Sequence, residues 1–184
     1  MIGYSVNTHV DFEPEYKYIT GYHGTTSKKA DAIEKKNGFH ISDTPTNWLG
    51  KGIYFYKYYV DAAKWTGVKI GGDPIDTVIH VVVKIKYDDY IDLETPEGRA
   101  LFNGYLERAV RDGLVPGSVE ENQCSIMNMI WDDVPSLKAI GGAFSPEHST
   151  RFRTLNDTRS KRREFCIRDN EAILVLERMP TNEV

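Results

Sequence analysis

Glu164 opens a short apolar run, Phe165-Cys166-Ile167, and follows Lys161-Arg162-Arg163. A carboxylate on a strand rim, facing a pocket, suits stabilising a sugar cation or polarising a hydroxyl. A solvated glutamate paired with an arginine explains the same pattern without chemistry. Far upstream, His23-Gly24-Thr25 closes a predicted strand. Glycine there lets backbone N–H and C=O approach a ligand, and a neighbouring histidine can bond a ribose hydroxyl; taken alone, the segment reads better as a turn with an incidental histidine. Between the two lies Gly50-Lys51-Gly52-Ile53-Tyr54-Phe55, where glycines lead aromatics into a strand. It is not a phosphate-binding P-loop, because no Lys-Ser or Lys-Thr pair stands at the required spacing. Phe55 reads as core, and Tyr54 as either core or site. Trp65, one helix further on, can stack on a planar ring or fill the core.

Several elements must position these residues. A strand is predicted over 18–23, followed by a helix over 28–34 with Ser27 as cap and Gly38 as stop. A short strand over 39–42 and a loop over 43–50 lead to a strand over 53–55 and a helix over 60–65. Residues 77–87 hold Val78, Ile79, Val81, Val82, Val83 and Ile85, a near-continuous β-branched run suited to a central strand. Thr95 and Pro96 open a helix with an apolar face of Ala100, Leu101, Tyr105, Leu106, Ala109 and Val110. A second helix spans 118–131 and ends before Pro135. Strands over 138–144, 165–168 and 172–177 close the chain, the last two separated by the turn dipeptide Asp169-Asn170. Helices placed among short strands, without strict alternation, predict an α+β fold.

The totals agree with one domain spanning residues 1–184. The chain has 184 residues, 40% hydrophobic and 27% charged, as expected of a soluble globular protein and not a disordered one. Its net charge of -4 excludes a chain that binds nucleic acid by overall charge, though not by a local patch. No apolar run reaches membrane-spanning length, and the first 14 residues lack a signal-peptide core. Cys124 and Cys166 form no metal-binding spacing, so a reducing, cytoplasmic setting fits best.

Taken together and in order, the three segments resemble the ADP-ribosyltransferase superfamily, in the His-Tyr-Glu branch that includes the poly(ADP-ribose) polymerases and diphtheria toxin. His23-Gly24 looks like that family's HG motif. Gly50 to Phe55 resembles its GKGIYF segment without a gap, and Glu164 with the apolar residues after it resembles its catalytic strand. The resemblance implies a split β-sheet sandwich with flanking helices and NAD as co-substrate, with no metal. It implies His23, Tyr54 and Glu164 as catalytic residues, and His23, Gly24, Thr25, Gly52, Tyr54 and Trp65 as the NAD site. Within that site, His23 would hold the adenosine-side ribose and the Gly24 backbone the carboxamide. Tyr54 and Trp65 would sandwich the nicotinamide, and Glu164 would bond the 2′-hydroxyl of its ribose. The polymerases carry a lysine and a serine where this chain has Asp61 and Ala62. The departure favours transfer of a single ADP-ribose, by a bare catalytic domain of bacterial or phage type.

The loop before Glu164 bears on the acceptor. It holds Arg151, Arg153, Arg159, Lys161, Arg162 and Arg163, opposed mainly by Glu147 and Asp157. Contact with RNA or DNA phosphates is slightly favoured, through Arg159, Lys161, Arg162 and Arg163. Arginines that grip the NAD pyrophosphate, docking on an acidic protein or an antitoxin, and a solvated loop remain alternatives. The expectation is therefore a mono-ADP-ribosyltransferase acting on a macromolecule, as a toxin or defence effector. NAD hydrolysis, RNA 2′-phosphotransfer and non-catalytic NAD or ADP-ribose binding are the rivals.

Overall fold

A computed structural model describes residues 13–36, 38–63, 69–70, 73–114, 119–144 and 162–179. In chain order they form β1 (Tyr16–Thr25), α1 (Ser27–Lys36), β2 (Ile53–Tyr56), α2 (Tyr59–Ala63), β3 (Lys69–Ile70), β4 (Asp73–Pro74) and β5 (Thr77–Lys86). Then come β6 (Tyr90–Asp92), α3 (Pro96–Arg111), α4 (Val119–Asp133), β7 (Ala139–Phe144), β8 (Arg162–Ile167) and β9 (Ile173–Met179). This is the expected α+β class. Seven strands make one sheet in the order β6-β7-β8-β2-β1-β5-β9, and β3 and β4 form a separate two-stranded ladder. Every neighbouring pair in the large sheet is antiparallel except β6 with β7.

The sheet is unevenly joined. β1 pairs with β5 from Tyr16↔Lys86 to Thr25↔Thr77, and β8 pairs with β2 from Ile53↔Ile167 to Tyr56↔Glu164. Between β1 and β2 the register has the single pair Tyr22↔Tyr56. The sheet thus consists of two well-laddered blocks, β6-β7-β8-β2 and β1-β5-β9, that meet on one rung.

Alternation along the strands sorts residues onto two faces. On one, Ile53, Phe55, Ile79, Val81, Val83, Ile85, Ala139, Phe165 and Ile167 pack with Ala30 and Ile33 of α1 and with Phe39. Gly21 allows this, since a Cβ there would sit 2.5 Å from the Phe165 ring. On the other face, α3 and α4 cover Ile140 and Cys166 with Met127, Ile130, Trp131, Leu101, Phe102 and Tyr105. The short α2 lays Ala62 and Ala63 on Val78, beside Tyr22 and Tyr56.

Several expectations shift in detail. β5 is interior to the sheet, paired with β1 and β9, as its β-branched run suggests; Ile79, Val81, Val83 and Ile85 point into the core, Val78 is buried under α2 on the other face, and His80, Val82 and Lys84 are half-exposed. Residues 39–42 form no strand and contribute only the isolated bridge Ser42↔Gly52. The α1 cap is Thr26, whose Oγ1 accepts from the Lys29 N–H, while Ser27 bonds Asp76 instead. Gly38 closes that helix by donating to the Ile33 carbonyl, as expected. Thr95 caps α3, accepting from the Gly98 N–H at 3.1 Å. The buried face of α3 keeps Leu101, Tyr105 and Ala109 of the predicted set and extends to Gly98 and Phe102, while Ala100 and Val110 are exposed. At Gly98 a Cβ would lie 2.0 Å from the Asp92 carbonyl oxygen, so the helix turns this edge to β6. β6 itself is too short to leave a pattern in the sequence.

Candidate active site

Glu164 sits mid-sheet on β8, with Tyr56 of β2 opposite on one side and Gly142 of β7 on the other. Its position inside β8, not at its start, explains why the carboxylate is only 8% exposed. A buried carboxylate needs donors, and it has them. The Trp48 indole N–H donates to Glu164 Oε2 at 2.7 Å, and the Tyr56 hydroxyl also bonds the carboxylate. Arg162 lies close enough to favour the charged form, and itself stands 3.8 Å from Asp61 of α2. Burial outweighs these partners and pushes the Glu164 carboxyl up to about 7, with Asp61 adding to the rise. A carboxyl near 7 exchanges its proton close to neutral pH.

Two rungs along, on the same face, Tyr54 faces Cys166. Its phenol bridges the preceding loop: the Leu49 N–H donates to Tyr54 Oη at 2.9 Å, and the Tyr54 hydroxyl donates to the Gly50 carbonyl at 2.7 Å. Burial raises its pKa, so it remains a neutral phenol and its ring is held in place. The Tyr54 backbone turns the other way. Where β1 and β2 have no register pair beyond their one rung, His23 Nδ1 lies 2.9 Å from the Tyr54 carbonyl oxygen. A carbonyl only accepts, so Nδ1 carries the proton. Burial lowers the His23 pKa, partly opposed by this bond, and the ring is neutral with Nε2 left as an acceptor.

The expected residues therefore converge, but not on one face. His23 packs edge-on to Phe39 and Phe55, with ring centroids 5.1 Å and 6.0 Å away, on the apolar face. Tyr54, Tyr56 and Glu164 project from the opposite face, as the register requires. Gly24 lies under α2, where a Cβ would be 2.9 Å from the Ala62 carbonyl oxygen. Thr25 is buried at the end of β1 and its carbonyl accepts from the Asp76 N–H. Gly52 gives both backbone groups to Ser42, and a Cβ there would meet Cys166 Sγ at 2.2 Å. Its role in this structure is close packing on β8. Arg163 pairs with Glu94 at 3.0 Å, and Arg162 is turned toward Asp61, so both have acidic partners within the chain. Trp65, Arg159 and Lys161 lie outside the described residues, as do Arg151 and Arg153.

Sequence reasoning missed Trp48 and Tyr56. The signal for Trp48 was a lone tryptophan in the polar segment Asp43-Thr44-Pro45-Thr46-Asn47, where a solvated loop has no use for one. Tyr56 lies one residue beyond the motif that drew attention. A separate cavity of about 430 Å³ is lined by Ile41, Lys51, Asn128, Asp132 and Arg168. Its cations are committed internally, Arg168 to Asp132 and Asn128 and Lys51 to Asp43. Among the described residues, no cluster of three or more His, Cys, Asp or Glu is placed to hold a metal, and no helix is long and apolar enough to cross a membrane.

No family model matches the chain. An uncharacterized protein of Methanocaldococcus jannaschii is 41% identical over 54 residues, covering 29% of this chain. The matched stretch spans 25% of that relative's length, and its name assigns it no activity.

Proposed function

We propose that this chain is an NAD-dependent mono-ADP-ribosyltransferase of the His-Tyr-Glu type, built on a split sheet of that family's kind. The observation that carries the reading is the buried Glu164 carboxylate, held by Trp48 and Tyr56 two rungs from Tyr54, whose carbonyl is gripped by His23. An NAD molecule lying across the weakly joined seam of β1 and β2 would touch both faces of the sheet there. His23 Nε2 would accept a ribose hydroxyl, and the fixed Tyr54 ring would present a flat surface to the nicotinamide. Glu164 in its ionised form would accept the 2′-hydroxyl of the adjoining ribose.

The chemistry follows from that placement. The bond between ribose C1′ and the nicotinamide nitrogen breaks, its electron pair leaving with nicotinamide, and positive charge grows on the sugar. A desolvated carboxylate beside that sugar stabilises the charge strongly, because little water competes with it. Positioning of the two reacting partners supplies much of the remaining acceleration. The acceptor then attacks C1′ and loses a proton. The basic run before Glu164 favours a nucleic-acid acceptor over a protein, and an antitoxin or inhibitor protein is a further expected partner.

The test is incubation with NAD labelled in the adenylate, with and without RNA, DNA and cell lysate, alongside Glu164→Gln. Label transferred to a macromolecule, and lost in the variant, is the expected result. Free ADP-ribose alone would make the protein an NAD hydrolase. No turnover with any acceptor, with NAD still bound, would make it a binder and overturn the reading.

A further inference from the structure

Of all the side chains around Glu164, Trp48 is the one whose placement consumes the most structure. Its indole lies over Gly142, where a Cβ would be 2.8 Å from the ring carbon Cη2, and Gly142 is the β7 partner of Glu164. Only a residue without a side chain lets the ring cross β7 and reach the carboxylate. The loop that carries Trp48 is clamped at both ends. Ser42 and Gly52 exchange two backbone hydrogen bonds, at 2.8 Å and 3.0 Å, and Asn47 is tied to Ser42 and Thr44. Past Trp48, the Trp131 indole N–H donates to the Leu49 carbonyl at 2.9 Å, and the Lys51 N–H donates to Asn128. Tyr54 holds Leu49 and Gly50 in addition. Gly50 takes the left-handed turn, φ 82°, against Asn128, a conformation other residues rarely adopt.

We propose that Trp48 is a positioning residue for Glu164, delivered by this clamped loop to fix the orientation of its carboxylate. The inference rests on the proposed function for its catalytic consequence, though not for the contact itself. The indole N–H is a donor that neither accepts nor ionises, so it holds one carboxylate oxygen in either protonation state. It favours the ionised form, because a hydrogen bond to a charged acceptor is the stronger one. The other groups facing Glu164 are Tyr54 and Tyr56 on β2, Arg162 and Cys166 on β8, and Asp61 on α2. Among these Arg162 supplies charge, and Trp48 together with Tyr56 supplies direction.

The experiment is an NMR pH titration of the full chain with labelled tryptophan indoles, from about pH 5 to about pH 9, on the wild type, Trp48→Phe and Glu164→Gln. The chain has three tryptophans, so the Trp48 signal is the one absent from Trp48→Phe. That signal should move with a midpoint near the Glu164 value of about 7, and should stop moving in Glu164→Gln. A Trp48 indole indifferent to pH in the wild type overturns the proposal, and this readout needs no variant that might misfold. In the NAD assay, Trp48→Phe should lower kcat by roughly tenfold to a hundredfold, the scale of one lost hydrogen bond to a charged group, with KM for NAD unchanged. It should also move the pH midpoint of activity upward. A folded Trp48→Phe with wild-type kcat and pH profile also overturns the proposal. A wild type that turns over no NAD sinks the proposed function alone, since the indole titration is judged without it.

Discussion

The two faces of the sheet around β2 and β8 use neighbouring residues for opposite ends. Phe55 and Phe165 point one way and stack at 5.2 Å in the apolar core. Tyr54, Tyr56 and Glu164, their immediate neighbours in sequence, point the other way into a set of hydrogen bonds around a buried carboxylate. The first face gains stability from each buried side chain, by about 1.5–3 kcal/mol for a large one. The second gives stability up, since burying a carboxylate costs more than the same volume of hydrocarbon. A protein keeps such a group where position outweighs cost, and the period of two along a strand lets it do so without disturbing the core one residue away.

Substitutions on the two faces should therefore separate. The largest effect is expected from Phe55→Ala, which should lower unfolding free energy by about 4 kcal/mol in urea titration while leaving the Glu164 titration midpoint in place. A moved midpoint would mean that the faces are not independent. Next is the pH dependence of stability. The folded Glu164 carboxyl titrates at about 7, raised from 4.5. Below the unfolded value both states hold the proton, and the stabilisation is fully present. As pH rises to about 7 the unfolded chain gives up its proton first, so stability falls, by about 3 kcal/mol across the window. Urea midpoints of Glu164→Gln should lack this decline, and at about pH 8 the variant should be the more stable protein.

Smaller effects probe how the polar face is held. Tyr54→Phe keeps the ring but leaves the Leu49 N–H and the Gly50 carbonyl without their partner. It should cost about 2 kcal/mol and speed hydrogen exchange at the Leu49 amide, with little change at Ile79 on the apolar face. Gln123 of α4 is 4% exposed, and its Nε2 has no hydrogen-bond partner among the described residues. Gln123→Met should raise stability by about 1 kcal/mol, read from the thermal midpoint.

The strands that carry the site were readable because their residues are local: Gly52 to Phe55 and Glu164 to Ile167 show glycine, aromatic and β-branched signals within a few positions. Their meeting was readable only through motif order. Pairing register is a tertiary property, and nothing near Glu164 in sequence names Tyr56 or Gly142 as neighbours. The opposite facing of His23 and Glu164 depends on how β1 meets β2 at Tyr22 and Tyr56, a single rung with no sequence mark. Trp48 leaves no mark of what it reaches, because turn residues define a loop but not the side chain that it delivers. The extension of the α3 buried face to Gly98 depends on its contact with β6, which no helical period could reveal.

β9 has a consequence of its own. It lies at the end of the sheet and pairs with β5 from Val78↔Met179 to Val83↔Ile173, bringing Glu177 and Arg178 to the rim. Remove it, by truncating the chain before Ile173, and β5 becomes the rim: a row of open amides flanked by Val78, Ile79, Val81 and Val83, with few charges to repel a second copy. Such an edge recruits other strands. The shortened protein should leave solution as aggregate.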